Sequence, residues 1–286
     1  MAIERKFVVI NFKVVVGQQK ITRGGQSTVA LALFLIVVTV VSIVWGRTNR
    51  IGYSRVITSA ARFIMKFSQM NEELIRSYLV WCIYMFVGLI GAVALLAAYQ
   101  LDLLRFLTVD LRYLWVVPLA FIAQNSLTGL MMQLWLVARP RSDVFSDLAS
   151  ILWVRYTLMM PRVMRMMAPL SAALVEEVFF RGAVFLILIE RFPQTGAYWP
   201  IFVCTALFVL QQLLQTDTVG QRVILLVGST SVSVVGCLAT LYTGSLLPTL
   251  VCHGAYAVVY LQLGAFMPKR PPREQGAKPR AVYPGL

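Results

Sequence analysis

Long apolar runs are the feature that most constrains how this chain folds. Seven of them are each roughly 20 residues long, the length at which an apolar helix crosses the hydrocarbon core of a bilayer. They cover residues 27–46, 78–99, 113–137, 167–189, 198–215, 222–242 and 246–266. Only 13% of the residues are charged, whereas a soluble domain carries about 25%. The sequence therefore predicts an all-α fold, a polytopic integral membrane bundle of seven or eight transmembrane helices.

Basic residues collect at both ends of this bundle. We divide the chain into a basic N-terminal segment (1–26), the bundle (27–266) and a basic, Pro-rich tail (267–286). Alternating residues at 7–16 favour a short strand or an interfacial segment. The net charge is +14, but no folded soluble face gathers it, so nucleic acid is not a predicted partner. Such residues set topology and contact anionic lipid heads, so the predicted partner is the lipid bilayer.

Two segments between the apolar runs mix arginines with apolar residues. Residues 47–77 predict an amphipathic helix lying in the interface. Residues 144–165 predict a surface helix, because an arginine at the middle of a span is costly. The distribution of Lys and Arg predicts a cytoplasmic C-terminus. We expect the membrane to be a prokaryotic plasma membrane. The N-terminal segment then falls outside despite its five basic residues, so either the first run does not fully cross or 144–165 crosses as an eighth span.

Two adjacent glutamates stand inside the fourth apolar run. Glu176 and Glu177 are the acidic residues that lie well inside a predicted span. Such residues are expensive in lipid and mark functional sites by default. Arg181 follows Glu177 by one helical turn and can pair with it. Glu176 lies about 100° round the helix, escapes that pairing and suits a general base acting on water. The alternative is a buried ion pair that fixes the register of the helices.

A histidine and several glutamines supply polar groups on the neighbouring runs. His253 is the single histidine of the chain, and Gln211, Gln212 and Gln215 lie on the fifth run. These side chains could converge with the glutamates on one polar pocket, although a lone histidine is more often a packing residue. One histidine and two glutamates are too few ligands for zinc, so neither a metal nor a cofactor is predicted.

The four cysteines (Cys82, Cys204, Cys237 and Cys252) show no metal-ligand spacing and are predicted to be small buried hydrophobes. Cys252 next to His253 is disfavoured as a nucleophile, because adjacent side chains on a helix point about 100° apart.

Three motifs resemble those of the CAAX prenyl protease and bacteriocin-processing family, which includes the type II CAAX proteases and the lysostaphin-resistance-like membrane proteins. Glu176-Glu-Val-Phe-Phe-Arg-Gly182 resembles its EExxxR motif. Thr205-Ala-Leu-Phe-Val-Leu-Gln-Gln212 resembles its second motif, in which a Phe precedes a His by four residues. The run from Leu241 to His253 resembles the approach to its third, HxxxN. The resemblance covers roughly residues 165–266.

This resemblance implies an intramembrane, glutamate-dependent endopeptidase acting on hydrophobic or lipid-modified peptides. It implies that Glu176 activates the water, that Glu177 and Arg181 hold it in place, and that His253 stabilises the oxyanion. Two positions depart from the pattern: Gln212 replaces the second-motif histidine and Ala257 replaces the third-motif asparagine.

Those departures leave two readings open. One is a peptidase with impaired activity, in which Tyr256 and Tyr260 could substitute as hydrogen-bond donors. The other is a catalytically degenerate relative that acts as a scaffold, or as a subunit of a larger complex, with partner membrane proteins. A transporter is disfavoured because the chain lacks repeated halves and broken helices.

Overall fold

A computed structural model of the chain describes residues 24–52, 54–108, 110–140, 143–193, 196 and 198–265. Within these ranges the secondary structure is helical, with no β-strand. The all-α membrane-bundle fold predicted from the apolar runs is confirmed. The predicted strand or interfacial segment at 7–16 and the tail at 267–286 lie outside the described residues.

The first half of the chain contains five α-helices within the described ranges. They are α1 (Gly24–Gly46), α2 (Thr48–Ile51), α3 (Arg55–Met65), α4 (Glu72–Tyr99) and α5 (Val116–Ala138). The prediction of one interfacial helix over 47–77 is wrong, because two N-caps start new helices inside it. The Ser54 side chain accepts a hydrogen bond from the backbone N–H of Ile57, and Asn71 accepts one from that of Leu74. The segment therefore divides into α2, α3 and the first turn of α4.

The segment before the two glutamates is likewise broken. It contains α6 (Val144–Ser150) and α7 (Leu152–Met159), and α8 (Arg162–Glu177) begins just after Pro161. The backbones of Ile151 and Met160 lie outside the helical region, the latter because a residue before proline avoids that region. Neither short helix approaches the roughly 20 residues that a span requires. The predictions of one surface helix over 144–165 and of an eighth span there are therefore both wrong.

One continuous rod carries the Glu-Glu motif. It consists of α8, a π-helix (Val178–Phe185) and α9 (Leu186–Arg191), and it contains the predicted fourth span. The chain continues through α10 (Tyr198–Leu213), α11 (Val219–Thr243) and α12 (Leu247–Ala265). Gln215 lies just beyond the end of α10, so the predicted fifth span is two residues too long. π-Helices are rare in proteins, and those that occur frequently lie at functional sites.

Among the described residues, four segments are long and apolar enough to cross a membrane: Thr28–Ile51, Glu72–Tyr99, Leu111–Ala138 and Val219–Thr243. Tyr198–Leu213 and Leu247–Leu263 are apolar but shorter. The total of seven or eight crossings therefore stays a prediction.

The rod lies at the centre of the helix packing. The α8 helix packs on α12, the π-helix contacts α10 and α11, and α10 packs on α11. Helices α1 and α4 cover one side of this arrangement, while α5 covers α11 and α12 on the other. Trp45 of α1 stacks on Phe180 of the π-helix with ring centroids 5.7 Å apart. The motif residues are therefore enclosed by helices from both halves of the chain.

Candidate active site

Glu177 and Arg181 form an ion-pair cluster in the interior of the bundle. A carboxylate oxygen of Glu177 lies 3.1 Å from Arg181 Nη1, and both side chains are 0% exposed. The guanidinium carbon lies 4.7 Å from the ring centroid of Phe208. Gly236 provides room, since a Cβ there would lie 3.3 Å from Arg181 Nε. The predicted pairing one turn apart is present, and the two charges neutralise each other away from water.

His253 connects the ion-pair cluster to the other glutamate. Its Nδ1 lies 2.8 Å from Glu177 Oε1, and its Nε2 lies 3.5 Å from Glu176 Oε2. Because Arg181 keeps Glu177 anionic, Nδ1 carries the hydrogen and donates it to that carboxylate. The Nε2 atom is then the one that can exchange a proton with Glu176.

Glu176 is bound by donors from two other helices. Gln212 of α10 donates from Nε2 to Glu176 Oε1 over 2.9 Å. The Tyr84 hydroxyl, on α4, donates to the same oxygen. Gln211 Nε2 in turn donates to the Tyr84 hydroxyl over 2.6 Å. Two donors therefore occupy Oε1, while Oε2 faces His253.

Further polar side chains continue from Gln212 towards the end of α10. Gln215 Nε2 lies 3.4 Å from Gln212 Oε1, and Asn49 donates to Gln215 Oε1. Beside them the exposed Arg50 pairs with Asp217 at 3.0 Å. A series of hydrogen-bonding groups thus leads from the buried glutamate to a polar edge of the molecule.

A cavity of about 140 Å³ opens beside these groups, and we call it the site cavity. Its polar wall contains Asn49, Tyr84, Glu176, Gln212, Gln215 and His253. A water needs about 10–15 Å³ of such space and two to four polar partners, so the site cavity can hold several waters against Glu176. Glu177 and Arg181 are absent from the residues that line it.

The rest of the site cavity is mostly apolar and is built by helices on several sides. Val80, Trp81, Trp153, Met160, Ile224 and Leu261 line it. Ala257, at the place of the third-motif asparagine, also lines it and offers no side-chain hydrogen bond. An apolar chamber with one polar wall suits a hydrophobic ligand that carries a polar group to the glutamate.

The five residues predicted for the site lie together: Glu176, Glu177, Arg181, Gln212 and His253. Their catalytic roles stay a prediction. Among the described residues no group of three or more His, Cys, Asp or Glu side chains could hold a metal ion.

Tyr256 and Tyr260, the possible substitute donors, line the site cavity, but the Tyr256 hydroxyl bonds to a residue other than Glu176. The Tyr256 hydroxyl lies 3.3 Å from Thr128 Oγ1 on α5, and the centroid of its ring lies 4.1 Å from that of Tyr260. The Tyr256 hydroxyl is therefore directed towards α5. Cys252 Sγ donates to the backbone carbonyl of Val117 over 3.2 Å, which places the thiol on the α5 side as well.

Tyr84 and Asn49 are the site residues that the sequence analysis missed. Tyr84 lies within an apolar run, and Asn49 lies in the segment assigned to the interface. The available signal was weak: a tyrosine buried in a span usually needs a hydrogen-bond partner for its hydroxyl. Nothing local to residue 84 indicates that this partner is a glutamate 92 positions away.

Comparison with known families connects this geometry to a described group of proteins. Residues 158–259 match the model of the family described as type II CAAX prenyl endopeptidase Rce1-like. The match shows a similarity to that family, and we call residues 158–259 the Rce1-like segment. The resemblance recognised from the three motifs is thereby confirmed over about a third of the chain. No curated protein and no solved structure matches the chain.

The Rce1-like segment (158–259) contains all five predicted site residues. It also contains the whole rod from α8 to α9, together with α10 and α11. Tyr84 and Asn49 lie outside it, on helices α4 and α2. The site is therefore completed by side chains from the part of the chain that the family match does not cover.

Proposed function

We propose that this chain is a glutamate-dependent intramembrane endopeptidase that cleaves hydrophobic or lipid-modified peptides. One observation carries the proposal. Glu176 faces the site cavity, with Oε1 held by two donors and Oε2 3.5 Å from Nε2 of His253. The match to a family described as prenyl endopeptidases supports the same reaction class.

The chemistry begins with a water in the site cavity. Glu176 takes one proton from the water, and the water oxygen forms a bond to the peptide carbonyl carbon. The electron pair of the carbonyl double bond moves to the carbonyl oxygen. The proton passes from Glu176 Oε2 to His253 Nε2, since these atoms are adjacent. The resulting imidazolium is held by Glu177 through Nδ1 and donates towards the oxyanion. The carbon–nitrogen bond then breaks, and the leaving nitrogen takes that proton to give an amine and a carboxylic acid.

The walls of the site cavity support a hydrophobic substrate. Trp81, Trp153 and Leu261 line it beside the polar wall, so an apolar chain can be buried while a peptide bond reaches Glu176. The family description supports a prenylated peptide as the first substrate to test. Prenyl groups are long hydrocarbons, and burying each CH₂ contributes about 0.8 kcal/mol.

The two departures from the motifs imply slow turnover. Gln212 donates a hydrogen bond to Glu176 but cannot accept a proton near neutral pH as histidine does. Ala257 leaves the wall without one donor, and loss of an oxyanion donor typically lowers kcat by about 10²- to 10³-fold.

The same two positions favour a second candidate function. With a glutamine and an alanine in place of a histidine and an asparagine, the chamber could bind a hydrophobic segment of a partner membrane protein without cleaving it. The chain would then act as a membrane scaffold or as a subunit of a larger complex. In that case Glu176 would be a binding group, and its charge would not be required.

The experiment that separates the two uses purified protein in lipid nanodiscs and a fluorescence-quenched prenylated peptide. The wild type is compared with Glu176→Gln and with Glu190→Gln, a control on the same rod outside the site cavity. We expect cleavage by the wild type and by Glu190→Gln, and none by Glu176→Gln. Equal cleavage by all three would overturn the role of Glu176. No cleavage by the wild type, where a full-motif family enzyme cuts the same peptide, would favour the scaffold.

A further inference from the structure

The hydroxyl group of Tyr84 reaches Glu176 from outside the Rce1-like segment. Tyr84 lies on α4, is 6% exposed, and its hydroxyl contacts Glu176 Oε1. None of the three sequence motifs includes this residue. The contact joins the proposed base to the N-terminal half of the chain.

The direction of this hydrogen bond follows from the neighbouring amide. Gln211 Nε2 donates to the Tyr84 oxygen over 2.6 Å, so that oxygen accepts on one side. Its own hydrogen is left to point at Glu176 Oε1, because a hydroxyl has one hydrogen to donate. Gln211 is fully buried and acts on Glu176 through Tyr84.

The ring of Tyr84 is held in place by aromatic packing. Its centroid lies 5.0 Å from that of Trp45 on α1, and Trp45 is itself 0% exposed. Gly88, one turn beyond Tyr84, allows this packing, since a Cβ there would overlap the Trp45 ring. A ring packed against Trp45 in the close-packed interior keeps its hydroxyl at one position.

We propose that Tyr84 is a positioning residue: it fixes Glu176 Oε1 so that Oε2 is the oxygen that takes the proton from water. This inference rests on the proposed function. In a chain with Gln212 at the second-motif position, two neutral donors hold the carboxylate. One donor comes from the Rce1-like segment and the other from α4. Helices α1 and α4 are then part of the active unit.

Tyr84→Phe tests the inference, because it removes the hydroxyl and keeps the packed ring. We expect kcat for the prenylated peptide to fall about 10- to 100-fold, the usual effect of losing a group that orients a reacting one. The matched control is Tyr99→Phe on the same helix. The Tyr99 ring packs on Phe34 of α1 at 5.4 Å, and Tyr99 does not line the site cavity. We expect it to retain the wild-type kcat.

A double-mutant cycle distinguishes positioning from a general loss of packing. Gln211→Met removes the donor that orients the Tyr84 hydroxyl and roughly preserves side-chain volume. If Gln211 acts through Tyr84, the Tyr84→Phe, Gln211→Met double variant is no slower than Tyr84→Phe alone. Two independent structural defects would instead multiply their losses, which would overturn the inference. The unfolding temperature of each variant is measured alongside, so that the cycle is read only on folded protein.

The inference and the proposed function fail in different ways. If the wild type cleaves and Tyr84→Phe cleaves as fast as Tyr99→Phe, only the positioning role of Tyr84 is overturned. If the wild type cleaves nothing, the proposed function is overturned, and the positioning role with it. Slow cleavage by Tyr84→Phe with a non-additive cycle supports both.

Discussion

Glu176 and Glu177 are adjacent in the sequence, yet their carboxylates lie in two different environments. Glu177 belongs to the ion-pair cluster, where Arg181 and His253 bind it out of contact with the site cavity. Glu176 is bound by neutral donors and faces the site cavity. A step of about 100° round the helix separates a side chain enclosed by protein from one that can meet water. One helix thus places a carboxylate in a buried ion pair directly beside a carboxylate that lines a cavity.

The largest expected effect concerns the ion-pair cluster. Glu177→Gln should lower the free energy of unfolding by about 3–5 kcal/mol, because it leaves the fully buried Arg181 cation without its counter-charge. The measurement is denaturant unfolding in mild detergent.

Glu176→Gln is the matched comparison for that variant. Its amide oxygen can still accept from Tyr84 and Gln212, and no fixed cation loses its partner, so we expect a change below about 1 kcal/mol. If the two variants were equally destabilising, the distinction between an enclosed and a water-facing carboxylate would be wrong.

A smaller effect, on kcat, is expected for a substitution in the wall of the site cavity. Ala257→Asn restores the third-motif asparagine to the wall of the site cavity. If the chain is a slow peptidase, we expect kcat to rise about 100-fold, the lower end of the 10²- to 10³-fold that an oxyanion donor typically contributes. The rise should be measured with the prenylated peptide and should vanish in an Ala257→Asn, Glu176→Gln background. An unchanged kcat in a folded Ala257→Asn protein would show that the missing asparagine does not limit turnover.

The sequence predicted the charged residues of this site better than Tyr84 and Asn49, which complete it. Glu176, Glu177 and Arg181 are conspicuous because charged groups in an apolar run are costly, and the spacing of one turn predicted which glutamate pairs. The position of His253 beside both carboxylates depends on α12 packing against α8. From the sequence we predict only that these side chains could converge on one polar pocket.

The sequence analysis missed several features of the structure, each for a different physical reason. Tyr84 is an aromatic residue in a run rich in aromatics, and its role arises from a long-range contact that local sequence does not encode. Ser54 and Asn71 are residue types that favour N-caps, but the amphipathic pattern over 47–77 predicts one helix that runs through both. The π-helix at Val178–Phe185 had no pattern in the sequence that predicted it.

The smallest effect, on the free energy of unfolding, is expected for Gly236→Ala, which tests how tightly the ion-pair cluster is packed. In Gly236→Ala the new Cβ would lie 3.3 Å from Arg181 Nε. The guanidinium is held by Glu177 on one side and lies over the Phe208 ring, so it cannot easily withdraw. We expect the free energy of unfolding to fall by about 1–2 kcal/mol, the usual cost of a modest overpacking.

Gly129→Ala provides the control on α5, where no described atom lies within 4 Å of the added Cβ. Replacing a helical glycine by alanine in open space should stabilise the protein by about 0.5–1 kcal/mol. The two variants add the same methyl group to a helix, so their opposite signs would measure packing around Arg181 rather than helix propensity. If Gly236→Ala were as stabilising as Gly129→Ala, Arg181 would have room to move. The contrast between the two carboxylates would then rest on charge and not on packing.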